Sequence, residues 1–436
     1  MGIAFFVVGI LVSIAIHELG HLLPAKKFGV KVFQYMVGFG PTIWSRMKNG
    51  TEYGIKAIPL GGYVRLMGMV PPPPPGAAPV KGPFAGVVQQ AREQTIQEIK
   101  DGDAAHAFYR LPPGKKIVVM AGGPIANILF AAAILLLVFV GIGIPRPTAV
   151  IENVVACVPT AGASAATPSG AATPSDATES DATDCGPGGE ATPAALIGLQ
   201  QGDEIISLDG VPTPDWPALS EAISGNSGSG IDLVYQRDGQ EFNAFVRLAA
   251  VERVDARSGE TVTSGFLGIA PSIKLQRQSP LEVPMIMGAM TGAMFEAVAT
   301  FPARVADVAR AAAGEERDPE GLVGIIGASR VGGEIAASET PVLWRVIDLL
   351  VLLAGLNVAL AIFNLIPLPP LDGGHIAGAL FEAVRRGWAR LRGKPVPAPA
   401  DVARLLPFAY GVVAVLIGIS ILVAYADIVN PIRLGG

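Results

Sequence analysis

Three residues near the start of the sequence have the types and spacing of a hydrolytic metal site. His17, Glu18 and His21 lie in one His-Glu-Leu-Gly-His run. On an α-helix, residues four positions apart share a face, so both imidazoles can bind one zinc ion. Glu18 can take a proton from a zinc-bound water, whose pKa the zinc lowers to about 7, and pass it to a leaving amine. The run therefore predicts metal-assisted hydrolysis.

Such a site needs a third protein ligand, because hydrolytic zinc sites have three and leave one position open to water. His106 and His375 are candidate donors. Asp372 is the better candidate, since it follows a proline-rich run that begins at Asn364 and cannot form a regular helix. Irregular backbone at membrane depth is tolerated only against protein or a water-filled cavity. The alternative is a solvated Asp372 in a loop just beyond a helix end.

Asn364 is a candidate for substrate binding. Its amide can donate and accept hydrogen bonds, so it could hold an extended substrate or stabilise an oxyanion. A polar contact between membrane helices is an equally good interpretation, and it is the favoured one for Asn357 and Asn127.

The elements that must position these residues are membrane helices. Half of the residues are hydrophobic and 16% are charged, which favours membrane segments, and the net charge of -5 argues against a nucleic-acid-binding protein. A span needs about 20 apolar residues. Four stretches meet this requirement: 2–23, 117–144, 349–366 and 405–426. A fifth, 285–301, contains Glu296 and indicates a surface or interfacial helix.

Lysine and arginine are concentrated between the first two spans and between the last two. The positive-inside rule places both of these segments in the cytoplasm and the long segment between spans two and three outside. We therefore expect a multi-pass membrane protein.

A small β-region is predicted between span one and a proline-rich linker at 71–83. Gly38, Phe39 and Gly40, with alternating stretches at 53–58 and 62–66, indicate short strands joined by turns. An edge of this sheet near the metal could pair with an unwound substrate by strand addition, although strands that only pack are more common.

The segment outside the membrane is predicted to be a small α+β domain. Strand-like runs at 149–157, 204–208, 231–237 and 242–248 accompany a helical stretch at 216–223. Residues 158–193 are rich in Ala, Thr, Ser, Pro, Gly and Asp, which predicts a disordered insertion. Cys157 and Cys185 could form one disulfide in an oxidising compartment or remain two free thiols.

Together these motifs resemble those of the site-2 proteases, in particular the bacterial type with a PDZ domain. The resemblance rests on the run from His17 to His21, on residues 364–373 and on a PDZ-like pattern at 195–210, and it extends over nearly the whole chain. It implies a polytopic α-helical membrane protein of the inner (cytoplasmic) membrane, with four transmembrane helices, a small membrane-associated β-region and an extracytoplasmic α+β PDZ domain. The implied spans are 1–23, 117–144, 346–371 and 405–426. The implied segments between and after them are a cytoplasmic β-region with its linker (24–116), a PDZ-like domain (145–275), extracytoplasmic or interfacial amphipathic helices (276–345), a cytoplasmic loop (372–404) and a C-terminal tail (427–436).

The resemblance also implies a function. His17, His21 and Asp372 would bind Zn²⁺, Glu18 would be the general base, and Asn364 with the strands around Gly38, Phe39 and Gly40 would hold the substrate. The partners would be the lipid bilayer and single-span membrane proteins such as anti-sigma factors already cut outside the membrane, with remnant signal peptides as further substrates. The insertion leaves open whether the PDZ segment binds peptides or excludes by size. A non-enzymatic PDZ adaptor and a metal transporter are the competing hypotheses.

Overall fold

The computed structural model describes residues 2–72, 85–100, 104–158, 185, 189–254, 261–315, 317, 321–322, 324–337, 340–400 and 405–430. The chain divides into two compact units. The first comprises Met1–Val140, Ser279–Ser338 and Arg345–Gly436, and the second comprises Gly141–Gln278 and Glu339–Trp344.

The described helices are α1 (Gly2–Lys27), α2 (Ala85–Lys100), α3 (Pro113–Leu136, continued as a π-helix over Leu137–Ile142), α4 (Pro193–Leu196), α5 (Trp216–Gly225), α6 (Glu282–Ala299), α7 (Phe301–Ala312), α8 (Ile325–Ala337), α9 (Val342–Leu365), α10 (Asp372–Leu391) and α11 (Leu406–Val429). The described strands are β1 (Val32–Lys48), β2 (Thr51–Leu66), β3 (Ile144–Val154), β4 (Glu204–Leu208), β5 (Val211–Pro212), β6 (Gly230–Arg237), β7 (Gln240–Arg247), β8 (Ala249–Val254), β9 (Thr261–Phe266) and β10 (Ile269–Gln276).

Four of the described helices are long and apolar enough to cross a membrane: Val7–Lys27, Pro113–Ile142, Val342–Leu365 and Leu406–Val429. They coincide with the four predicted spans to within a few residues at most ends. The predicted surface helix at 285–301 corresponds to α6 and its junction with α7. These two helices meet at an angle of 68°, and together they would count as a fifth, broken span.

Helices α1 and α3 cross with their backbones in direct contact. A Cβ atom added to Gly20 would lie 2.2 Å from the carbonyl oxygen of Gly122, and one added to Gly122 would lie 2.0 Å from that of Gly20. Small residues permit such close crossings in membranes. Helix α9 is joined to α1 by the buried Asn357, whose amide nitrogen donates to the hydroxyl of Ser13 over 2.8 Å. Asn357 is therefore a polar contact between helices, as favoured from the sequence.

Strands β1 and β2 form an irregular antiparallel hairpin beside α1. The first part of β1 pairs with both parts of β2, since Tyr35 lies opposite both Tyr53 and Val64. This folding-back requires bends, and Gly38 and Gly40 supply them with positive φ angles of 93° and 81°. The short strands predicted at 53–58 and 62–66 are thus parts of one longer strand, β2, and both parts pair with β1.

The second unit contains an antiparallel sheet with the order β10-β3-β4-β6-β7, in which β5 also pairs with β4. Helix α5 covers it and is capped at its N-terminus by Asp215, whose carboxylate accepts a hydrogen bond from the backbone nitrogen of Ala218. The core residues that are at most 2% exposed include Ile151, Ile205, Leu208, Leu219, Ile231, Leu233, Leu248 and Leu267. The four predicted strands and the predicted helix are present, whereas the β8–β9 hairpin and β10 were not predicted.

Cys157 and Cys185 form a disulfide bond, so of the two alternatives the free thiols are wrong. Cys157 also pairs with Ala191 in an isolated β-bridge. Of the insertion predicted to be disordered, residues 159–184 and 186–188 lie outside the described residues, as do residues 73–83 of the predicted linker.

The segment 372–404 is not simply a loop between two spans. Its first twenty residues form α10, which begins at Asp372 itself. The proline-rich run ends at Leu371, and beyond it the chain is free of proline until Pro395. Proline therefore prevents a regular helix only before Asp372.

Candidate metal centre

The structure brings His17, His21 and Asp372 together. Nε2 of His17 lies 3.2 Å from Nε2 of His21 and 3.2 Å from Oδ2 of Asp372, and Nε2 of His21 lies 3.3 Å from the same oxygen. Ligands bound tetrahedrally at about 2.0–2.1 Å from zinc are separated by about 3.3 Å. The three donor atoms therefore fit one zinc ion, and they form the metal-binding group found among the described residues.

The imidazole of His21 is fixed by its other nitrogen. Nδ1 lies 2.8 Å from the carbonyl oxygen of Val119 in α3. A carbonyl only accepts, so Nδ1 must donate, and this leaves the lone pair of Nε2 free for a metal. The ring of His17 has no such partner, since its Nδ1 is buried without a hydrogen bond among the described residues.

Gly123 in α3 makes room for both imidazoles. A Cβ atom at this position would lie 2.3 Å from Nε2 of His21 and 2.8 Å from Cε1 of His17. Any side chain would occupy the place of the metal-binding atoms. This role of Gly123 was not predicted from the sequence. The only signal was a Gly-Gly pair in an apolar span.

Two further glycines position Asp372 from the carboxyl side. A Cβ atom at Gly373 would lie 2.2 Å from the carbonyl oxygen of Ile366, and one at Gly374 would lie 2.6 Å from the nitrogen of Pro369. The proline-rich turn therefore packs directly on the first turn of α10, which presents Asp372 to the two histidines.

The carboxyl of Asp372 faces both imidazoles, with Oδ2 3.2 Å from Nε2 of His17 and 3.3 Å from Nε2 of His21. A charged carboxylate oxygen is a suitable zinc ligand.

Glu18 is buried next to these ligands, 8% exposed. Gly62 of β2 packs over it, because a Cβ atom there would lie 3.0 Å from Cγ of Glu18. Burial and the nearby Glu18 carboxylate raise the pKa of Tyr35 to about 12. The Tyr35 hydroxyl therefore stays protonated and donates to the carbonyl of Ala15 over 2.7 Å. The hairpin is thus attached to α1 beside the candidate acid-base residue.

The other residues that the sequence offered as metal ligands or substrate contacts are not part of the metal-binding group. Nδ1 of His106 lies 2.6 Å from the carbonyl oxygen of Gly29. His375, one turn after Asp372, has a pKa lowered by burial. Neither belongs to the metal-binding group of the described residues. Asn364 lies in the last turns of α9 and donates to the carbonyl of Leu360 over 3.0 Å.

Gly38, Phe39 and Gly40 lie at the bend of β1. Phe39 is 43% exposed and stacks on Tyr63 with ring centroids 6.1 Å apart. The structure therefore places an exposed aromatic residue on the hairpin that packs against α1, while the role of these three residues in binding stays a prediction.

Asn127 in α3 is a buried polar residue that neither substrate binding nor a contact between helices explains. It is fully buried, and neither of its amide atoms has a hydrogen-bond partner among the described residues. It lies one turn beyond Gly123 on the same face of α3. The polar contact between helices that the sequence favoured for Asn127 is not formed within the described residues.

Comparison with known proteins decides the family. The chain matches the sequence profile of Peptidase family M50 over residues 5–407. The chain belongs to this family. Among its relatives are the zinc metalloprotease Rip1 of Mycobacterium tuberculosis, 31% identical over 99% of this chain and 98% of the relative, and the metalloprotease MmpA of Caulobacter vibrioides, 26% identical over 91% and 90%. The regulator of sigma-E protease RseP of Salmonella typhimurium is 26% identical over 95% of each chain.

Membership of family M50 confirms the resemblance to the site-2 proteases. With the zinc metalloproteases among the relatives, it also confirms the predicted enzyme class, a zinc metalloendopeptidase, and the predicted cofactor, Zn²⁺. The four apolar helices and the β-sheets agree with a multi-pass membrane protease that contains a β-region.

Proposed function

We propose that this chain hydrolyses peptide bonds within or beside the membrane-spanning segment of single-span proteins, with His17, His21 and Asp372 as the zinc ligands. The observation that supports this most strongly is the convergence of three donor atoms within 3.3 Å of one another, although Asp372 lies 351 positions after His21 in the chain. Since ionisable side chains are costly inside a membrane, three of them around one point indicate a function.

Glu18 acts as the general base and then as the general acid. Bound zinc would supply a water of lowered pKa and polarise the scissile carbonyl. The Glu18 carboxylate would accept a proton from the attacking water and later deliver it to the leaving amine. Its position next to His17, in a buried place under Gly62, keeps bulk water from competing for this proton.

The hairpin β1–β2 is proposed to present the substrate as an added strand. A membrane-spanning helix must unwind before its peptide bonds can be attacked, and an unwound segment needs partners for its backbone groups in a medium that offers none. The bend at Gly38, Phe39 and Gly40 and the amide of Asn364 are the candidates for these contacts. The exposed Phe39 ring would pack against the substrate's side chains.

The second unit is proposed to be a PDZ domain on the outer side of the inner membrane. Its antiparallel sheet with α5 and the pattern at 195–210 support this assignment, and the disulfide is typical of an oxidising compartment. Such a domain would select substrates already shortened outside, either by binding peptides or by excluding large domains. Anti-sigma factors are proposed substrates, which the name of the relative regulator of sigma-E protease supports, and remnant signal peptides are a second class.

The test is cleavage of a tagged single-span protein by the full chain in lipid vesicles. Glu18→Gln keeps the size of the side chain and removes the base, so we expect cleavage to fall by about 10²-fold or more, the usual contribution of a general base. Glu252→Gln, an exposed position in the second unit, is the matched control. Unchanged cleavage by Glu18→Gln would refute the mechanism. If substrate capture without cleavage were seen even for the wild type, the adaptor hypothesis would replace it.

A further inference from the structure

Helix α10 has an exposed apolar stripe that the proposed chemistry does not use. Leu380, Phe381, Val384, Trp388 and Leu391 are between 51% and 84% exposed. At 100° per residue they fall within an arc of about 100° on one side of the helix. A stripe of this kind is typical of a helix that lies on another apolar surface.

The opposite face of α10 is firmly attached to α3. Nζ of Lys116 lies 2.7 Å from Oε2 of Glu382, and the guanidinium of Arg386 lies 2.6 Å from the other carboxylate oxygen. The side chains of Lys116 and Glu382 are 7% and 3% exposed. Glu382 projects about 150° around the helix from the centre of the stripe. This buried ion pair therefore turns the stripe away from α3.

The same contact fixes the depth of the stripe. Asp372, at the start of α10, reaches His21, which contacts Val119 in α3. Ten residues later, Glu382 contacts Lys116, in the first turn of α3 and close to the start of the candidate span Pro113–Ile142. Helix α10 thus runs from the metal centre to the level at which the candidate span of α3 begins, which would put the stripe at the level of the lipid headgroups.

Positive charge borders the stripe. The guanidinium of Arg392 lies 4.3 Å from the ring centroid of Trp388, and that of Arg385 lies 5.7 Å from the ring centroid of Phe381. Arginine beside exposed aromatic residues is typical of helices in the membrane interface, where the rings enter the headgroup layer and the cations meet lipid phosphates.

We propose that α10 is an interfacial helix that binds the anionic lipid surface, with the stripe in the headgroup layer and Arg385 and Arg392 on lipid phosphate groups. Because Asp372 is the first residue of α10, lipid bound to this helix would help to hold a candidate metal ligand in place. The position of α10 can be measured without bound zinc and without catalysis.

The test measures the depth of a nitroxide label in the full chain, reconstituted in vesicles of phosphatidylcholine alone or in equal parts with phosphatidylglycerol. Val384→Cys places the label on the stripe. Ala383→Cys, its exposed neighbour outside the stripe, is the control. Cys157 and Cys185 are joined in a disulfide and do not take up the label. In anionic vesicles we expect oxygen to relax the label at 384 more than a water-soluble nickel chelate does, and the reverse at 383.

The arginines test the headgroup contact. Each arginine near an anionic surface favours the bound state by about fivefold, so Arg385→Gln with Arg392→Gln should lower the ratio of inserted to free helix by roughly 25-fold. Arg390→Gln, on the other side of α10, should leave it unchanged. The proposal is overturned if the label at 384 is as accessible to the nickel chelate as the label at 383. It is also overturned if insertion of the helix depends neither on phosphatidylglycerol nor on the two arginines. It is also overturned if 384 is shielded from both reagents, which would indicate a second copy of the chain on the stripe.

Discussion

Some residues of this protein matter because of the chemistry of their side chains, and others, the glycines, because they have no side chain. Gly123 belongs to α3, yet the space above its Cα atom is filled by the imidazoles of His17 and His21 from α1. The distance between the two helix backbones at this point therefore sets where the candidate ligands can lie.

Replacing this glycine tests its role directly. Gly123→Ala would place Cβ 2.3 Å from Nε2 of His21, so the ring must move off the metal position. We expect zinc affinity to fall by about 10–100-fold, the range seen when the support of a ligand is changed. Metal content after dialysis against a graded chelator measures this. Gly355→Ala, in span α9 where a Cβ would meet nothing within 4 Å, is the control, and equal zinc retention by the two variants would contradict the assignment.

The metal-binding role of residues 17–21 could be predicted from the sequence, whereas the role of Gly123 in leaving space for the imidazoles could not. The reason is physical. The spacing of His17 and His21 acts within one helix, so it can be evaluated from the helix period alone. The requirement for glycine at 123 arises from contact with a helix about one hundred positions earlier. Asp372 was predicted through its motif and its apolar surroundings, since no local rule relates it to the histidines.

At the scale of elements, α10 is held by a buried ion pair that can be broken. Glu382→Gln leaves Lys116 buried without its counter-charge, and removing one partner of a buried pair costs about 3–5 kcal/mol. We expect α10 to detach from α3, with faster hydrogen exchange in peptides from 376–391 of the full chain in detergent.

Arg390→Gln, an exposed position on the same helix, is the control for this change and should leave exchange as in the wild type. The double variant Lys116→Met with Glu382→Leu removes both charges and should recover much of the protection. Exchange in Glu382→Gln that is no faster than in the control would show that the pair does not hold α10.

Elements set by local patterns were predicted well. The four spans follow from runs of apolar residues, and the helical stretch predicted at 216–223 lies within α5. The extent of the hairpin was missed because the alternation of apolar residues is interrupted at Gly38 and Gly40, where the strand bends without ending. Helix α10 was missed because positive charge suggested only a connecting loop.

At the scale of the whole molecule, we propose that substrates are selected by the second unit outside the membrane and are cut within the membrane by the helices and hairpin of the first. The distribution of lysine and arginine predicts this orientation.

Single cysteines report that orientation. Asp232→Cys lies on β6 of the second unit and Arg390→Cys on α10, both exposed. A membrane-impermeant maleimide applied to intact spheroplasts should label the first and spare the second until the membrane is permeabilised. The reverse pattern would contradict the proposed topology, while the chemistry of the metal centre would stand.

The measurement that tests the account most directly is the zinc content and zinc coordination of the purified full chain. We expect one zinc per chain, with X-ray absorption showing two imidazole nitrogens and a carboxylate oxygen as protein ligands. Asp372→Ala should weaken zinc retention and remove the carboxylate oxygen, whereas Asp232→Ala, at an exposed position in the second unit, should change neither. Full zinc retention by Asp372→Ala with an unchanged absorption spectrum would show that His17, His21 and Asp372 do not share an ion.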